Sequence, residues 1–184
     1  MFQKMGKQVL DELSVVLSQV DEREVDQLAE AIVNARRIVT TGAGRMGMMA
    51  RAFAMRLSHL NLQAYHISDC NTPRVGKGDL LLVCSGSGET KTIVSLATVA
   101  KSYGTQIGLV TARRASTIQE ISDVSVFLPA ATKIQEDQGF LSIQPMTSLT
   151  EQSCLMFLDI LVLILMDRLQ QTHEMLKSRH SILE

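Results

Sequence analysis

The sequence predicts an α/β protein: a three-layer sandwich in which helices cover both faces of a five-stranded parallel sheet. Short apolar or β-branched runs alternate with stretches whose apolar residues recur at helical spacing, the pattern of strand–helix–strand units. One run, Leu80–Cys84, is apolar throughout and is followed by glycines, as expected for a strand that is buried on both faces. Because no repeat or linker divides the chain, we expect residues 1–184 to form one domain.

The chain opens with two amphipathic helices, which we expect to form an N-terminal hairpin over about residues 1–35. Arg36 and Arg37 suit the C-terminal end of the second helix, where positive charge offsets the helix dipole. The predicted strands are 37–41, 63–67, 80–84, 106–111 and 124–128. The predicted helices between them are 46–60, 91–103 and 116–121.

C-terminal helices are predicted over about 147–184. The first begins at Thr147 or Ser148 and leads into a more polar helical tail over 170–184. It is apolar on nearly every side, which indicates burial and, in a small domain, often an oligomer interface. Its longest apolar run, about a dozen residues, is too short to span a bilayer. The irregular segment before it, 130–145, is long enough to be functional or mobile.

The composition excludes several classes of partner. The net charge is −1, aromatic residues make up 4% and there is no Trp, which argues against nucleic acid and anionic membranes as partners. Cys70, Cys84 and Cys154 are widely spaced and odd in number, which suits neither a disulfide framework nor a zinc site. The N-terminus lacks a signal-peptide apolar core. We therefore expect a cytoplasmic protein without a metal or a cofactor.

A small, hydroxyl-rich loop after the third strand carries the main functional signal. Its residues are Ser85, Gly86, Ser87, Gly88, Glu89 and Thr90. The loop lies between a buried strand and a helix N-terminus, where backbone N–H groups are free and the helix dipole favours an anion. The lysine that follows the loop, Lys91, comes after Thr90 and not directly after a glycine as in nucleotide-binding P-loops, so we predict a small phosphate ester as the ligand. The alternative is an ordinary strand-to-helix turn with a hydroxyl cap.

A second loop, Gly42–Arg45, ends the first strand. In the flavodoxin-like strand order 2-1-3-4-5 the first and third strands are neighbours, so both loops are expected to face one crevice. Arg45 then becomes a partner for a phosphate or a sugar hydroxyl, and the alternative is a solvated arginine. A dinucleotide-binding fingerprint is a further alternative, with Asp69 as its arguable acidic residue. We rank it well below a phosphate ester because we take Gly47 to lie outside the full G-x-G-x-x-G spacing.

Longer motifs then connect these loops to a known family. They are GAGR at 42–45, ARAFAMRLSHL at 50–60, TP at 72–73, GDLLLVCSGSGET at 78–90, QPMTSLTEQ at 144–152, FLD at 157–159 and RHSILE at 179–184. With these motifs the chain resembles the sugar isomerase (SIS) domain proteins over essentially its whole length. More narrowly, it resembles the 6-phospho-3-hexuloisomerases of the ribulose monophosphate pathway. It departs from their usual pattern at Met46, Asn61, Ser68-Asp69 and Thr147.

The resemblance implies interconversion of D-arabino-hex-3-ulose 6-phosphate and fructose 6-phosphate through an enediol(ate). Such chemistry requires a general base beside the sugar and a donor for the developing oxyanion. Glu151 matches the family's proposed base. The alternative is a capping box, S-x-x-E, in which Glu151 only returns to the backbone of Ser148.

The remaining site residues also follow from the resemblance. His59 and His180 are candidate acids or ring openers, and the alternative for His59 is a satisfied histidine near a helix end. His180 can reach a site only if the tail folds back or crosses to a neighbouring subunit. Glu89 either hydrogen-bonds a sugar hydroxyl or only biases the helix start electrostatically.

The resemblance also implies a homo-oligomer, a tetramer or a dimer of dimers, because SIS enzymes commonly share sites between subunits. Two other functions stay open. One is an SIS isomerase acting on another phosphosugar, such as an arabinose 5-phosphate. The other is a non-catalytic SIS module that binds a sugar phosphate as a sensor, although such regulators usually carry a helix-turn-helix domain.

Overall fold

The computed structural model describes residues 1–130 and 142–183. Five strands form a parallel sheet in the order β2-β1-β3-β4-β5, which confirms the predicted fold class and strand order. The strands are β1 Ile38–Gly42, β2 Ala64–His66, β3 Leu80–Cys84, β4 Gln106–Thr111 and β5 Val124–Phe127. The helices are α1 Phe2–Leu17, α2 Glu22–Asn34, α3 Gly44–His59, α4 Lys91–Ser102, α5 Thr117–Ile121, α6 Ser148–Arg168 and α7 His173–Ser178.

The layers are held by two apolar clusters, one on each face of the sheet. On one face α2, α3 and α6 enclose Leu28, Phe53 and Leu161 together with the side chains of β3 that point that way. On the other face α4 and α5 enclose Ile93 and Ile118. Helix α2 of the predicted hairpin packs on β5, whereas α1 packs on α6. The three-layer prediction is therefore confirmed, with α1 added outside α6.

The register of the sheet brings the two predicted loops together. Gly42, the last residue of β1, is paired with Cys84, the last residue of β3. The loops that follow them consequently leave the same edge of the sheet, side by side. This is the position at which open α/β sheets bind their ligands.

The long helix α6 is both a core element and a partly open one. The sequence predicts an apolar run too short to span a bilayer, but the whole helix is long and apolar enough to do so by length and composition alone. Within the described part of the chain it is the one such helix. In the fold, 61% of its apolar window is buried, which is the pattern of a core helix. Its outer face leaves Met156, Ile160 and Leu163 between 39% and 57% exposed.

The predicted helical tail needs correction. The polar tail is helical only over α7, because Gln170 with a φ of 51° ends α6 and Thr172 caps a new short helix. The described residues beyond α7 bury few side chains, so no packing free energy offsets the cost of nucleating a further helix there. Of the irregular segment predicted over 130–145, residues 131–141 lie outside the described part of the chain.

Arg36 and Arg37 have a partner that the sequence does not predict. They follow the end of α2 and pair with Asp79, whose side chain is completely buried at the start of β3. Each guanidinium donates to both carboxylate oxygens, at 3.0 to 3.1 Å. The Gly76 backbone N–H donates to the same carboxylate at 2.9 Å. The two arginines therefore join α2 and β1 to β3.

The three cysteines are free thiols in different surroundings. Cys70 is exposed, whereas Cys84 and Cys154 are buried next to each other between β3 and α6. The hydrogen bond with Cys84, together with burial, raises the pKa of the Cys154 thiol well above its ordinary value. The buried pair therefore packs as small apolar side chains, as the sequence predicts.

Candidate active site

A crevice of about 620 Å³ opens at the carboxyl edge of the sheet, where β1 and β3 end. Its walls are the start of α3, the loop between β3 and α4, and the segment that enters α6. Six of the predicted site residues line it: Arg45, Ser85, Gly86, Ser87, Thr90 and Glu151. Residues far apart in the chain therefore meet here, as the strand order predicts.

The hydroxyl-rich loop is folded back on itself. Ser85 Oγ accepts a hydrogen bond from the Gly88 backbone N–H at 3.1 Å, and Ser87 Oγ accepts one from the Glu89 N–H at 3.2 Å. A hydroxyl that accepts such a bond keeps its own proton for donation to a ligand. Thr90 is the N-cap residue of α4, but its side chain makes no capping hydrogen bond. The loop thus combines a helix N-terminus with hydroxyl donors, which suits a phosphate group.

Gly88 and Glu89 face α5 instead of the crevice. Gly88 has a φ of +65°, and a Cβ at that position would overlap the Ser116 hydroxyl. The Glu89 carboxylate accepts from the Thr117 backbone N–H at 2.9 Å and from its hydroxyl at 2.8 Å. These bonds hold the pKa of Glu89 below its ordinary value. Glu89 therefore fastens the loop to the start of α5, and its predicted bond to a sugar hydroxyl stays a prediction.

The glycines after β1 need a correction. Gly42, Gly44 and Gly47 do have the full G-x-G-x-x-G spacing. In the structure a Cβ on Gly42 would lie 2.7 Å from the Cys84 carbonyl oxygen and 2.9 Å from the Gly47 nitrogen, so the glycines permit close packing of α3 on the sheet. The Asp69 carboxylate accepts from the His66 backbone N–H at 2.9 Å and is thereby engaged in its own turn.

Arg45 and Glu151 form the polar centre of the crevice. Arg45 Nε lies 3.0 Å from Glu151 Oε2, and the Thr147 hydroxyl donates to Glu151 Oε1 at 2.8 Å. Glu151 is 8% exposed, so both carboxylate oxygens are held on the wall of a cavity with little access to bulk water. A carboxylate oriented in this way is suited to moving a proton to and from a bound ligand.

The capping box predicted as the alternative is not formed. The N-cap residue of α6 is Thr147, and Ser148 is already inside the helix. The Ser148 hydroxyl accepts instead from Arg45 Nη1, at 3.4 Å. Sequence reasoning missed Thr147 as the partner of Glu151, although its spacing, four residues before Glu151, places both on one face of the helix.

His59 and His180 lie elsewhere, in a second groove of about 550 Å³ between α3, α6 and α7. Their ring centroids are 5.3 Å apart. Arg179 donates to the His59 carbonyl oxygen at 2.8 Å, which fixes the tail against the end of α3. The tail therefore folds back, as one of the predicted options requires. Within one chain, however, it brings His180 to His59 and not to Glu151.

A metal site is not evident among the residues that the structure describes: no three His, Cys, Asp or Glu side chains are arranged to hold an ion. The expectation of no metal and no cofactor stays a prediction.

His66 is buried, and its Nδ1 lies 2.7 Å from the Ser68 hydroxyl. Burial lowers the pKa of the His66 imidazole.

Comparison with known proteins decides the family. The family model of the SIS domain matches residues 31–162. The chain belongs to the SIS-domain family. This SIS chain is 37% identical over 177 residues to a 3-hexulose-6-phosphate isomerase of Bacillus subtilis, and the match covers 96% of both chains. It is 38% identical over 177 residues to a 3-hexulose-6-phosphate isomerase of Mycobacterium gastri, covering 96% of this chain and 88% of that one.

A solved structure shows that the similarity extends to the fold. It is a protein of Methanococcus jannaschii for which the molecular function of 3-hexulose-6-phosphate isomerase was inferred. It superposes with a TM-score of 0.83 at 28% identity, over 97% of this chain and 98% of that one. The resemblance read from the sequence motifs is therefore confirmed at the level of family and of fold.

Proposed function

We propose that this protein is a 6-phospho-3-hexuloisomerase, another name for a 3-hexulose-6-phosphate isomerase, and interconverts D-arabino-hex-3-ulose 6-phosphate and D-fructose 6-phosphate. It is a sugar-phosphate isomerase of the SIS-domain family, with relatives of that activity at 37% and 38% identity. One structural observation carries the proposal furthest. The crevice sets a carboxylate, Glu151, opposite a loop built to hold a phosphate. Because both line the same crevice, one bound phosphosugar is proposed to contact both.

The proposed reaction moves one proton between adjacent carbons. Glu151 removes the proton from C2 of the 3-ulose, and the C2–C3 electrons form an enediol(ate) as the C3 carbonyl oxygen gains negative charge. The same carboxyl then returns the proton to C3. The proton of the C2 hydroxyl passes to the C3 oxygen, so that the carbonyl forms at C2 and a hydroxyl at C3. The Arg45 guanidinium, which already contacts Glu151 and has further N–H groups, is the proposed donor for the developing oxyanion.

The phosphate end is proposed to bind at the Ser–Gly loop. The backbone N–H groups at the start of α4 and the hydroxyls of Ser85, Ser87 and Thr90 supply neutral donors there. This arrangement anchors the substrate by an end that does not react. Binding energy from such a remote group is what holds the reacting carbons against the base.

Replacing Glu151 by Gln tests the proposed function directly. We expect Glu151→Gln to lower kcat by about 10³-fold or more while fructose 6-phosphate still binds, because the amide keeps the shape but cannot take a proton. Turnover is followed in a coupled assay and binding by calorimetry. A variant that isomerises at close to the wild-type rate would show that Glu151 is not the base.

Two other functions remain to be tested by substrate. A phosphosugar isomerase acting on another ketose or aldose, and a non-catalytic phosphosugar binder, both fit the same crevice. A panel of phosphorylated ketoses and aldoses, assayed with purified protein, distinguishes the three. A homo-oligomer and a cytoplasmic location stay predictions; the exposed apolar face of α6 supports the former.

A further inference from the structure

One carboxylate outside the crevice holds the segment that leads into it. Glu12 lies on α1, and its Oε1 accepts a hydrogen bond from the Ile143 backbone N–H at 2.8 Å. Its Oε2 accepts from the Ser142 hydroxyl at 2.7 Å and from Gln144 Nε2 at 3.0 Å. The Ser142 hydroxyl also accepts from the Gln144 backbone N–H at 2.9 Å. Three consecutive residues are thus fastened to one side chain.

This cluster surrounds one negative charge with neutral donors. Hydrogen bonds to a charged acceptor are stronger than those between neutral groups. Burial by itself raises the pKa of Glu12, but the hydrogen bonds from residues 142–144 outweigh it and hold the pKa below its ordinary value. Glu12 is consequently ionised at neutral pH and keeps all three donors occupied.

The chain just beyond the cluster has an unfavourable conformation. Met146 has a φ of 58°, in the left-handed region, which is uncommon for a side chain of this size. It is 73% exposed, so packing of its own side chain compensates little of that strain. Such a conformation persists only where the surrounding structure fixes it. Here the fixed points are the Glu12 cluster before Met146 and the start of α6 after it.

The strained residue leads directly to the proposed base. Pro145, Met146 and Thr147 line the crevice. The Thr147 hydroxyl donates to Glu151 Oε1 at 2.8 Å. A shift of residues 142–144 is therefore transmitted through Met146 to the group that orients Glu151.

We propose that Glu12 is a positioning residue for the isomerisation. It fixes residues 142–144 so that Met146 and Thr147 hold Glu151 in its reactive orientation. This inference rests on the proposed function. Because the phosphate-type loop belongs to β3 and α4, Glu12 controls turnover and not the affinity for sugar phosphate. A misplacement of a catalytic group by about 1 Å can lower a rate by about 10²-fold.

The test compares Glu12→Gln and Glu12→Ala with the wild type and with Glu30→Gln, which changes an exposed carboxylate on the neighbouring helix α2. We expect kcat to fall about tenfold for Glu12→Gln and about a hundredfold for Glu12→Ala, because the amide of the Gln variant retains one acceptor oxygen. The KM and the fructose 6-phosphate affinity should change by less than about threefold. Amide hydrogens of residues 147–151 should exchange faster in both variants, and Glu30→Gln should match the wild type.

Two results would overturn the inference. One is a kcat within about twofold of the wild type in both Glu12 variants. The other is a parallel loss of kcat, fructose 6-phosphate affinity and Tm, which indicates general destabilisation. If the wild type itself fails to isomerise the hexulose phosphate, the proposed function is wrong. Hydrogen exchange alone then decides whether Glu12 positions residues 147–151. Faster exchange over 147–151 then supports the hold of Glu12 on this segment, and unchanged exchange refutes it.

Discussion

Gly88 and Gly44 have similar backbone conformations and very different surroundings. Both have positive φ, +65° and +55°, but a Cβ would overlap Ser116 at Gly88 and would meet open space at Gly44. A non-glycine residue in this region costs about 1–2 kcal/mol. A forced overlap in a packed site costs about 1–3 kcal/mol more. An alanine substitution at Gly44 therefore measures the cost of backbone strain alone, and one at Gly88 measures that cost together with the cost of steric overlap.

We predict that Gly44→Ala lowers the free energy of unfolding by about 1–2 kcal/mol and that Gly88→Ala lowers it by about 2–5 kcal/mol. Urea denaturation of both variants measures the difference. Equal losses would mean that the contact with Ser116 relaxes without cost. Because Ser116 caps α5, the larger loss should also loosen that helix.

Some contacts of the site residues could be predicted from the sequence and others could not. Strand order alone predicts that the hydroxyl-rich loop and Arg45 share one crevice, whereas Glu151 is assigned to it through the family resemblance. The ion pair of Arg45 with Glu151, however, joins residues far apart in the chain, and no local pattern reports it. For Glu89 and the two histidines the family resemblance supplied roles, but the fold directs Glu89 to Thr117 and His180 to His59.

Among the elements, β3 is the one best predicted from sequence. Leu80–Cys84 has the predicted bounds because an uninterrupted apolar run has one stable place, between two helical layers. The end of α2 also lies close to its predicted position, but the partner of the arginines that follow it was not predicted. Arg36 and Arg37 suit a helix terminus locally, but their partner, Asp79, comes from the start of another strand. Tertiary contacts of this kind override a local preference.

The Asp79 cluster makes the joint between α2, β1 and β3 dependent on pH. Burial by itself raises the pKa of Asp79, but the bonds from Arg36, Arg37 and Gly76 outweigh it and hold the pKa below its ordinary value. A carboxyl group with a lowered folded-state pKa stabilises the protein above its unfolded-state pKa of about 3.9. That contribution is lost as the pH falls through the lower, folded-state pKa.

We predict that Asp79→Asn lowers the free energy of unfolding by about 1–3 kcal/mol at pH 7. The difference from the wild type should begin to shrink as the pH falls below about 4, because the carboxyl then takes up a proton in the unfolded state, and it should shrink further until the pH passes the lower, folded-state pKa. Denaturation curves between pH 3 and pH 7 measure this, with Glu30→Gln as the exposed control. A difference that stays constant over the whole range would contradict the assigned cause.

For the whole molecule, the outer face of α6 is the feature that the isolated chain leaves unexplained. Met156, Ile160 and Leu163 lie at helical spacing on a core helix, and the groove containing His59 and His180 borders them. Apolar side chains in a contiguous row suit an interface between subunits. The homo-oligomer expected from the sequence is therefore proposed to form through this face.

We predict that Leu163→Glu shifts the protein to a smaller assembly, because a charge would be buried at the proposed contact without a partner. Val99→Glu is the matched control, since Val99 is 54% exposed on α4, on the other face of the sheet. Sedimentation velocity gives the assembly size of each variant. An unchanged size for Leu163→Glu would place the interface elsewhere.

The contrast between the three cysteines has a practical consequence. Cys70 alone is exposed, and it follows β2 at the same edge of the sheet as the crevice. A maleimide dye should therefore attach at one position of the native protein, with no cysteine removed by mutation. Such a fluorophore would report on ligand entry nearby. Counting labelled thiols in denaturant would report unfolding, as Cys84 and Cys154 become reactive.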